Sequence, residues 1–385
     1  MDNPGPVVRR ETAAPPPRPC PPVLDAPTLT DLTSNPNPTA DAERAGTSAR
    51  RGAVAIGRNE GERLERCLTA LTGGPGAGLS PVVFVDSGST DGSADFARSI
   101  GVEVVELDMS QPFTAARARN AGYERLEERG GVDAVLFIDG DCELLPGWLP
   151  EAAALLAGDD SVAAVGGCRQ ERHRDATAWN RLAAMEWDRP AGDADAFAGD
   201  GLVRSSAFEA VGRFNPTLIA GEEPELCVRL RNAGHRIVTL ATPMSIHDAA
   251  MTRLAQWWKR AERSGHAYAE GYALHGRGPQ KHGARAVRSI AVYGVGIPVL
   301  TLALVVLSLV SGWWWPAAAA AAAWLIYPLQ ALRIAQGRRR GGDPWADALR
   351  YGGFTMLGKF AQLIGVGRYL RGRLGGKRQV LMEYK

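Results

Sequence analysis

Between residues 52 and 250, short apolar runs alternate with stretches whose apolar residues recur every three or four positions. The runs Ala53–Ile56, Pro81–Asp86, Val102–Leu107 and Ala134–Asp139 are rich in β-branched residues and end at polar ones, the pattern of buried strands. Between them, Glu62–Leu71, Ser93–Ile100 and Ala115–Glu128 carry helical spacing. This alternation predicts an α/β domain over 51–250 with a mostly parallel sheet covered on both faces. In such sheets the ligand crevice lies at the carboxyl ends of the strands. Here those ends read Arg58-Asn59-Glu60, Asp86-Ser87-Gly88 and Asp139-Gly140-Asp141. Further on, Gly221-Glu222-Glu223-Pro224-Glu225 opens a helix over Leu226–Ala233, with Pro224 expected at its first position, and a strand follows at Arg236–Leu240.

The pattern then changes. Residues 289–311 and 313–332 are two uncharged apolar runs, each long enough at ~1.5 Å per residue to cross a ~30 Å hydrocarbon core. Gly312 and Trp313, Trp314 and Trp315 sit at the connection, where aromatic rings suit the membrane interface. Lys281, Arg285 and Arg288 precede the first run, and Arg333, Arg338, Arg339 and Arg340 follow the second. Positive flanks on both sides predict a transmembrane hairpin over 289–333 in an inner membrane, with the α/β domain and both termini cytoplasmic.

Two amphipathic stretches flank this hairpin. Thr252–Leu274 sets Leu254, Trp257, Trp258, Tyr268 and Tyr272 among Arg253, Lys259, Arg260 and Arg263, within an expected interfacial helix and linker over 251–288. Ala348–Leu370 sets Phe354, Leu357, Phe360, Ile364 and Tyr369 among Arg350, Lys359 and Arg368, within a basic cytoplasmic tail over 334–385. Helices lying in the membrane interface and ordinary core-packing helices both fit these patterns. Arg371, Arg373, Lys377 and Arg378 suit an anionic leaflet, and equally a solvated tail. Residues 1–50 hold eleven of the 25 prolines and no apolar h-region, so they read as a disordered arm and not as a secretory signal.

Composition changes this picture little. Of 385 residues 45% are hydrophobic and 22% charged, as in an ordinary globular chain, and a net charge of +2 gives no reason to expect nucleic acid. Cys20, Cys67, Cys142, Cys168 and Cys227 form no C-x-x-C pair and read as free thiols in a reducing compartment.

The candidate chemistry sits at the strand ends. Asp139 and Asp141, separated by a glycine that lets the backbone approach closely, suit a hard divalent cation whose shell is completed by phosphate oxygens. A solvated turn uses the same residue types; the position after an apolar strand favours a site. Asp86 can accept hydrogen bonds from a base or ribose, while Asp91 or Ser93 caps the helix that follows. Arg117, Arg119 and Asn120 offer donors to a diphosphate, or line a solvated helix face. The acids at 222, 223 and 225 either complement a helix dipole or supply a general base. His247 is a metal ligand, a phosphate contact or a structural residue.

Taken in order, these pieces resemble the inverting family-2 glycosyltransferases, which have a GT-A fold. The matching stretches are Arg58-Asn59-Glu60, VDSGSTDGS at 85–93, ARARNAG at 116–122, FIDGDCELLPGWL at 137–149 and GEEPELCVRLRNAG at 221–234. Gly199-Asp200-Gly201 with Arg204 resembles the family's acceptor-side strand. The resemblance implies a GT-A nucleotide-diphospho-sugar-binding domain, with the membrane hairpin familiar from polysaccharide-making members. It implies that Asp86, Asn59 and Glu60 hold the nucleotide, and that Ser87, Gly88, Arg117, Arg119, Asn120, Asp139 and Gly140 complete the donor site. Asp139, Asp141 and His247 would hold magnesium or manganese. Glu223 stands where the family places its catalytic aspartate; because it is one methylene longer, Glu222 and Glu223 both stand as candidates for the base. The Gln-x-x-Arg-Trp motif of processive synthases is absent, since Gln256-Trp257-Trp258-Lys259-Arg260 only echoes its composition. The expected activity is metal-dependent, inverting transfer of one sugar from a nucleotide donor to a lipid-linked or growing-glycan acceptor. A nucleotidyltransferase, and a non-catalytic nucleotide-sugar-binding scaffold of a glycan-assembly complex, are the rival expectations.

Overall fold

The computed structural model describes residues 49–249 and 251–376. Residues 1–48 of the proline-rich arm, and Lys377 and Arg378 of the basic tail, lie outside the described residues.

Strands apolar on both faces need cover on both sides. Strands β1 (Arg51–Gly57), β2 (Leu79–Asp86), β3 (Glu103–Glu106) and β4 (Ala134–Asp139) run parallel in the spatial order β3-β2-β1-β4. Helices α1 (Glu62–Thr72), α2 (Ser93–Ser99) and α3 (Ala115–Glu128) connect them. Because neighbouring strand residues point to opposite faces, Leu136 enters a core with Leu64, Leu68 and Phe84. Phe137 enters a second core with Val83, Tyr123, Phe208 and Phe214.

The second half adds β5 (Cys142–Leu144), α4 (Trp148–Gly158), β6 (Val162–Glu171), α5 (Ala178–Trp187), β7 (Gly192–Asp193) and β8 (Gly201–Arg204). It continues with α6 (Ser205–Ala210), α7 (Glu222–Asn232) and β9 (Arg236–His247). Strand β8 lies antiparallel between β4 and β6, β6 runs parallel to β9, and β5 and β7 pair antiparallel with β9. The sheet is therefore mixed: β5, β7 and β8 run against the other six strands, which share one direction. Apolar patterning reports that a strand is buried, and says nothing of its direction. The structure also starts α7 at Glu222, two residues before Pro224, with Gly221 in the left-handed region at φ 79. Pro224 is tolerated there because the first four amides of a helix have no intrahelical partner.

The C-terminal part is helical: α8 (Leu254–His275), α9 (Ala284–Ile290), α10 (Ile297–Ser311), α11 (Trp315–Trp324), α12 (Ile326–Arg340) and α13 (Trp345–Leu374). A single π-type turn, Ala291–Gly296, joins α9 to α10. Two helices of this part are long and apolar enough to cross a membrane. They are Ala284–Ser311, with mean hydropathy 2.5, and Trp315–Arg340, with mean hydropathy 1.3. Only 17% and 6% of their most apolar windows are buried, so neither is a core helix of this chain. Tyr327 of α12 donates its hydroxyl to the Tyr293 carbonyl at 2.5 Å, tying the two together. The amphipathic stretches on either side pack on each other, burying Trp257, His266 and Ala269 of α8 and Met356, Ala361 and Gly365 of α13. Cys67, Cys142 and Cys227 are free and buried, whereas Cys168 is disulfide-bonded, against the expectation of free thiols throughout.

Candidate active site

The carboxyl ends of β1, β4 and β9, the start of α7, and helices α5 and α8 surround a cavity of about 620 Å³. Its centre is the guanidinium of Arg119 on α3, only 3% exposed. Thr114 starts that helix by accepting the Arg117 amide, and this places Arg119 on the inward face. Arg119 donates through Nη1 to Glu222 Oε1 and through Nη2 to Asp139 Oδ1, each at 2.7 Å, and its plane lies over Phe214 at 5.5 Å. A buried cation shared by two carboxylates satisfies desolvation costs that none of the three could meet alone.

The three acids respond differently. Burial pushes the Asp139 carboxyl up, and Arg119 only partly opposes this. Burial also works against ionised Glu222, yet Arg119 and Arg263 outweigh it and hold this carboxyl below its ordinary 4.5. Glu223 is raised by burial, against the opposing pull of Arg189. Its Oε1 accepts the amides of Phe197 at 2.7 Å and Ala198 at 3.1 Å, turned away from the cavity.

At the end of β9, His247 Nε2 stands 3.7 Å from Asp141 Oδ2, while His247 Nδ1 meets Glu171 Oε2 at 2.8 Å. Donation of Nδ1–H to Glu171 leaves the Nε2 lone pair on the Asp141 side, the carboxylate–histidine arrangement that orients metal-ligating imidazoles. Two ligands each ~2.1 Å from one ion lie at most about 4.2 Å apart, so Asp141 and His247 fit a single divalent cation. Among the described residues no three His, Cys, Asp or Glu side chains converge on one point. The remaining ligands would come from water and phosphate oxygens, as suits magnesium or manganese. A Cβ at Gly140, between the two aspartates, would lie 3.0 Å from the carbonyl oxygen of Ile56, so a larger residue fits there only if the strand end shifts by a few tenths of an ångström.

Residues 55–212, which contain Arg119, Asp139 and Asp141 but not Glu222 or His247, match the family model described as glycosyl transferase family 2. The chain carries a family-2 glycosyltransferase domain. The pre-mycofactocin glycosyltransferases of Mycobacterium tuberculosis strains CDC 1551 / Oshkosh and ATCC 25618 / H37Rv are each 29% identical to this chain over 223 residues. The match covers 53% of this chain and 43% of theirs, so the chain spans less than half the length of these curated relatives. The solved mannosyltransferase PcManGT from Pyrobaculum calidifontis, in complex with GDP-Man and Mn2+, superposes with a TM-score of 0.52 at 16% identity. It covers 84% of this chain and 88% of that one, a likeness of fold that reaches past the α/β part into the C-terminal helices.

Within the glycosyltransferase domain the expected residues divide. Asn59, Glu60, Arg119, Asp139, Gly140, Asp141, Glu222 and His247 line the cavity. Asp86 lies one strand away, in register with Gly57, and its carboxylate accepts the amides of Gly88 and Ser89. Ser87 donates its amide to the Gly57 carbonyl, so 86–88 form the turn behind the cavity rim. Asn59 Oδ1 accepts the Thr90 amide at 2.7 Å; Asp91 accepts the amides of Ser93 and Gly61 from one residue before the N-cap, which is Gly92 and neither of the expected Asp91 and Ser93. Arg117 donates to the carbonyls of Asp108, Gln111 and Pro112, and Asn120 exchanges hydrogen bonds with the Phe214 backbone; both are structural. Gly199 and Gly201 flank Asp200, which is buried and is not among the residues that line the cavity. It takes the Asp139 amide at 3.1 Å, Arg169 at 2.7 Å and the Ser245 hydroxyl at 2.9 Å, so it positions the strand end. Arg204 lies at the far end of β8, paired with Ala134, and donates to the carbonyls of Leu156, Asp159 and Val162. The structure does not bring it to the cavity.

Other lining residues escaped the reading of the sequence. Arg169, buried on β6, packs on the Trp187 ring at 4.6 Å, and Arg260 of α8 packs on the same ring at 5.5 Å. Arg263 lies one helical turn beyond Arg260 and also lines the cavity. A signal for Arg169 existed, since Val162–Glu171 is another apolar run ending in charge.

Proposed function

We propose that this chain transfers one sugar, with inversion, from a nucleotide-sugar donor to a lipid-linked or growing-glycan acceptor at a membrane, aided by a divalent cation. The observation that carries this reading is the convergence of the Arg119–Asp139–Glu222 cluster and the Asp141–His247 pair on one cavity. Asp141 and His247 would hold magnesium or manganese, which when bound neutralises charge on the departing nucleoside diphosphate. Asn59 and Glu60 stand at the cavity rim and are assigned to the nucleoside, with the 86–88 turn behind them.

Glu222 is assigned as the base. It lines the cavity, Arg119 keeps it ionised, and a base must reach the proton it removes. It takes the proton of the acceptor hydroxyl as that oxygen bonds to the anomeric carbon. The bond from this carbon to the diphosphate oxygen breaks on the opposite face, which inverts the centre. Glu223 stays behind, bound to the backbone of Phe197 and Ala198. The exposed apolar helices and their basic flanks support a hairpin in an inner membrane, with the catalytic domain cytoplasmic.

The test presents UDP-, GDP-, CDP- and dTDP-sugars to the full chain in lipid vesicles, with and without manganese. Release of a nucleoside diphosphate that needs the metal and falls about 10²-fold or more in Glu222→Gln is expected. With a nucleoside triphosphate and a sugar 1-phosphate supplied instead, release of pyrophosphate would identify a nucleotidyltransferase, and binding without turnover in either assay would identify a scaffold.

A further inference from the structure

The side of the cavity opposite the strand ends is helical. Helix α5 supplies Ala183 and Trp187, α8 supplies Arg260 and Arg263, and the segment between β9 and α8 supplies Ala249 and Met251. Ala183, Ala249 and Met251 do not rest on either sheet core. With Trp257 they form a third buried apolar cluster, on which Trp179, Trp258 and Phe354 pack. Phe354 belongs to α13, nearly a hundred residues beyond Trp257 and Trp258 along the chain and past the apolar hairpin. Its ring meets Trp179 of α5 edge-on at 4.9 Å and Trp257 of α8 edge-on at 5.1 Å. Helix α13 grips both partners again nearby. Asp347 takes Arg181 of α5 at 3.0 Å, and the backbones of α8 and α13 touch at glycines. A Cβ at Gly265 would lie 2.0 Å from the Gln362 carbonyl oxygen, and one at Gly365 would lie 2.0 Å from that of Glu262.

From this geometry we propose that α13, through Phe354, is the brace that positions the acceptor-side wall of the cavity, while the donor side stands without it. The terms acceptor and donor rest on the glycosyl-transfer reading above. Phe354 is not itself a lining residue; its ring meets Trp179 and Trp257 and packs on the cluster that holds Ala183 and Met251. Asp139, Asp141 and Glu222 are seated on the sheet and on α7, whose backbone hydrogen bonds and two cores hold them independently of the third cluster. The hairpin leaves the wall at the end of α8 and returns to it as α13, so the two halves of the brace are joined by the segment assigned to the membrane. Wall position matters because a misplacement of about 1 Å at a bound substrate can cost on the order of 10²-fold in rate.

The test is hydrogen exchange on the full chain in lipid nanodiscs, comparing the native protein with Phe354→Ala and Phe354→Leu. Phe354→Ala should raise exchange about tenfold or more in 178–187 and 251–263, with 51–60 and 134–141 unchanged. Phe354→Leu, which keeps most of the apolar volume, should restore most of the protection. In parallel, stabilisation by UDP, GDP, CDP or dTDP with manganese should be the same in Phe354→Ala as in the native chain. Gly365→Ala, which forces α13 off α8 by a different route, should reproduce the pattern if Phe354→Ala does not fold. Exchange that rises equally at the strand ends, or that stays within α13, would overturn the brace. If no nucleotide stabilises even the native protein, the transferase reading falls, while the exchange pattern still decides the brace.

Discussion

The strand-end side of the cavity and its helical side are held by different forces. Asp139 ends a strand that is hydrogen-bonded to β1 on one edge and to β8 on the other. Its neighbours Arg119 and Asp200 are locked by ion pairs at 2.7 Å. The helical side has no ladder; Trp187, Arg260 and Arg263 keep their places through ring packing and the α8–α13 crossing. A side fixed by sheet register suits groups that must not move, such as metal and diphosphate ligands. A side held by ring packing and side-chain ion pairs, with no sheet register, can be re-cut for different acceptors without disturbing them.

Mutations on the two sides should therefore differ in kind. The largest effect is expected on the strand-end side. Asp141→Ala removes one of two protein groups suited to the cation, and turnover should fall about 10³–10⁴-fold, measured as nucleoside diphosphate release. A fall below tenfold would break the assignment of this side to the donor. Next, Glu222→Gln should cost about 10²–10³-fold in kcat while nucleotide binding persists. Glu223→Gln should cost far less, because an amide oxygen still accepts from Phe197 and Ala198. The reverse ranking would move the base to Glu223.

Smaller effects sharpen the contrast through stability. Gly265→Ala should lower stability by about 1–3 kcal/mol through overpacking at the helix crossing, read as a lower Tm, with nucleotide binding intact. The smallest is a change of pH dependence. Burial raises the Glu223 carboxyl above its ordinary 4.5, so the folded state binds that proton more tightly than the unfolded chain does. The stability this contributes is complete below the unfolded value and is lost as pH rises through the folded one. Glu223→Gln should remove that loss. Its denaturation midpoint relative to the native chain should improve as pH rises above 4.5, and a constant difference would contradict the buried placement.

Much of the strand-end side was legible in the sequence. The boundaries of β4 at Ala134–Asp139 and of α3 at Ala115–Glu128 agree with the apolar patterns, because those elements bury whole strands or whole helix faces. The Asp-Gly-Asp turn was legible for the same reason. What the sequence left open was direction and aim. Glu222 and Glu223 are adjacent on a helix, where successive side chains point about 100° apart. Which of them faces the cavity is set by Arg119 on one side and the Phe197–Ala198 backbone on the other, both remote in sequence. Arg117 and Asn120 carry the right chemistry and spend it on nearby carbonyls and the Phe214 backbone. The helical side was the least legible. Thr252–Leu274 and Ala348–Leu370 each read as one amphipathic helix, but only their mutual packing shows that Arg260 and Arg263 turn toward the cavity.

The central claim is that the strand-end side binds a nucleotide through a metal ion, and thermal stabilisation of the purified full chain tests it most directly. UDP, GDP, CDP and dTDP are each compared with and without manganese, in the native protein and in Asp141→Ala. One nucleotide should raise the melting temperature only with the metal, worth about 2.7 kcal/mol at a hundred times its Kd, and the shift should vanish in the variant. A native protein that melts cooperatively and responds to none of the four, with or without manganese, would contradict the account.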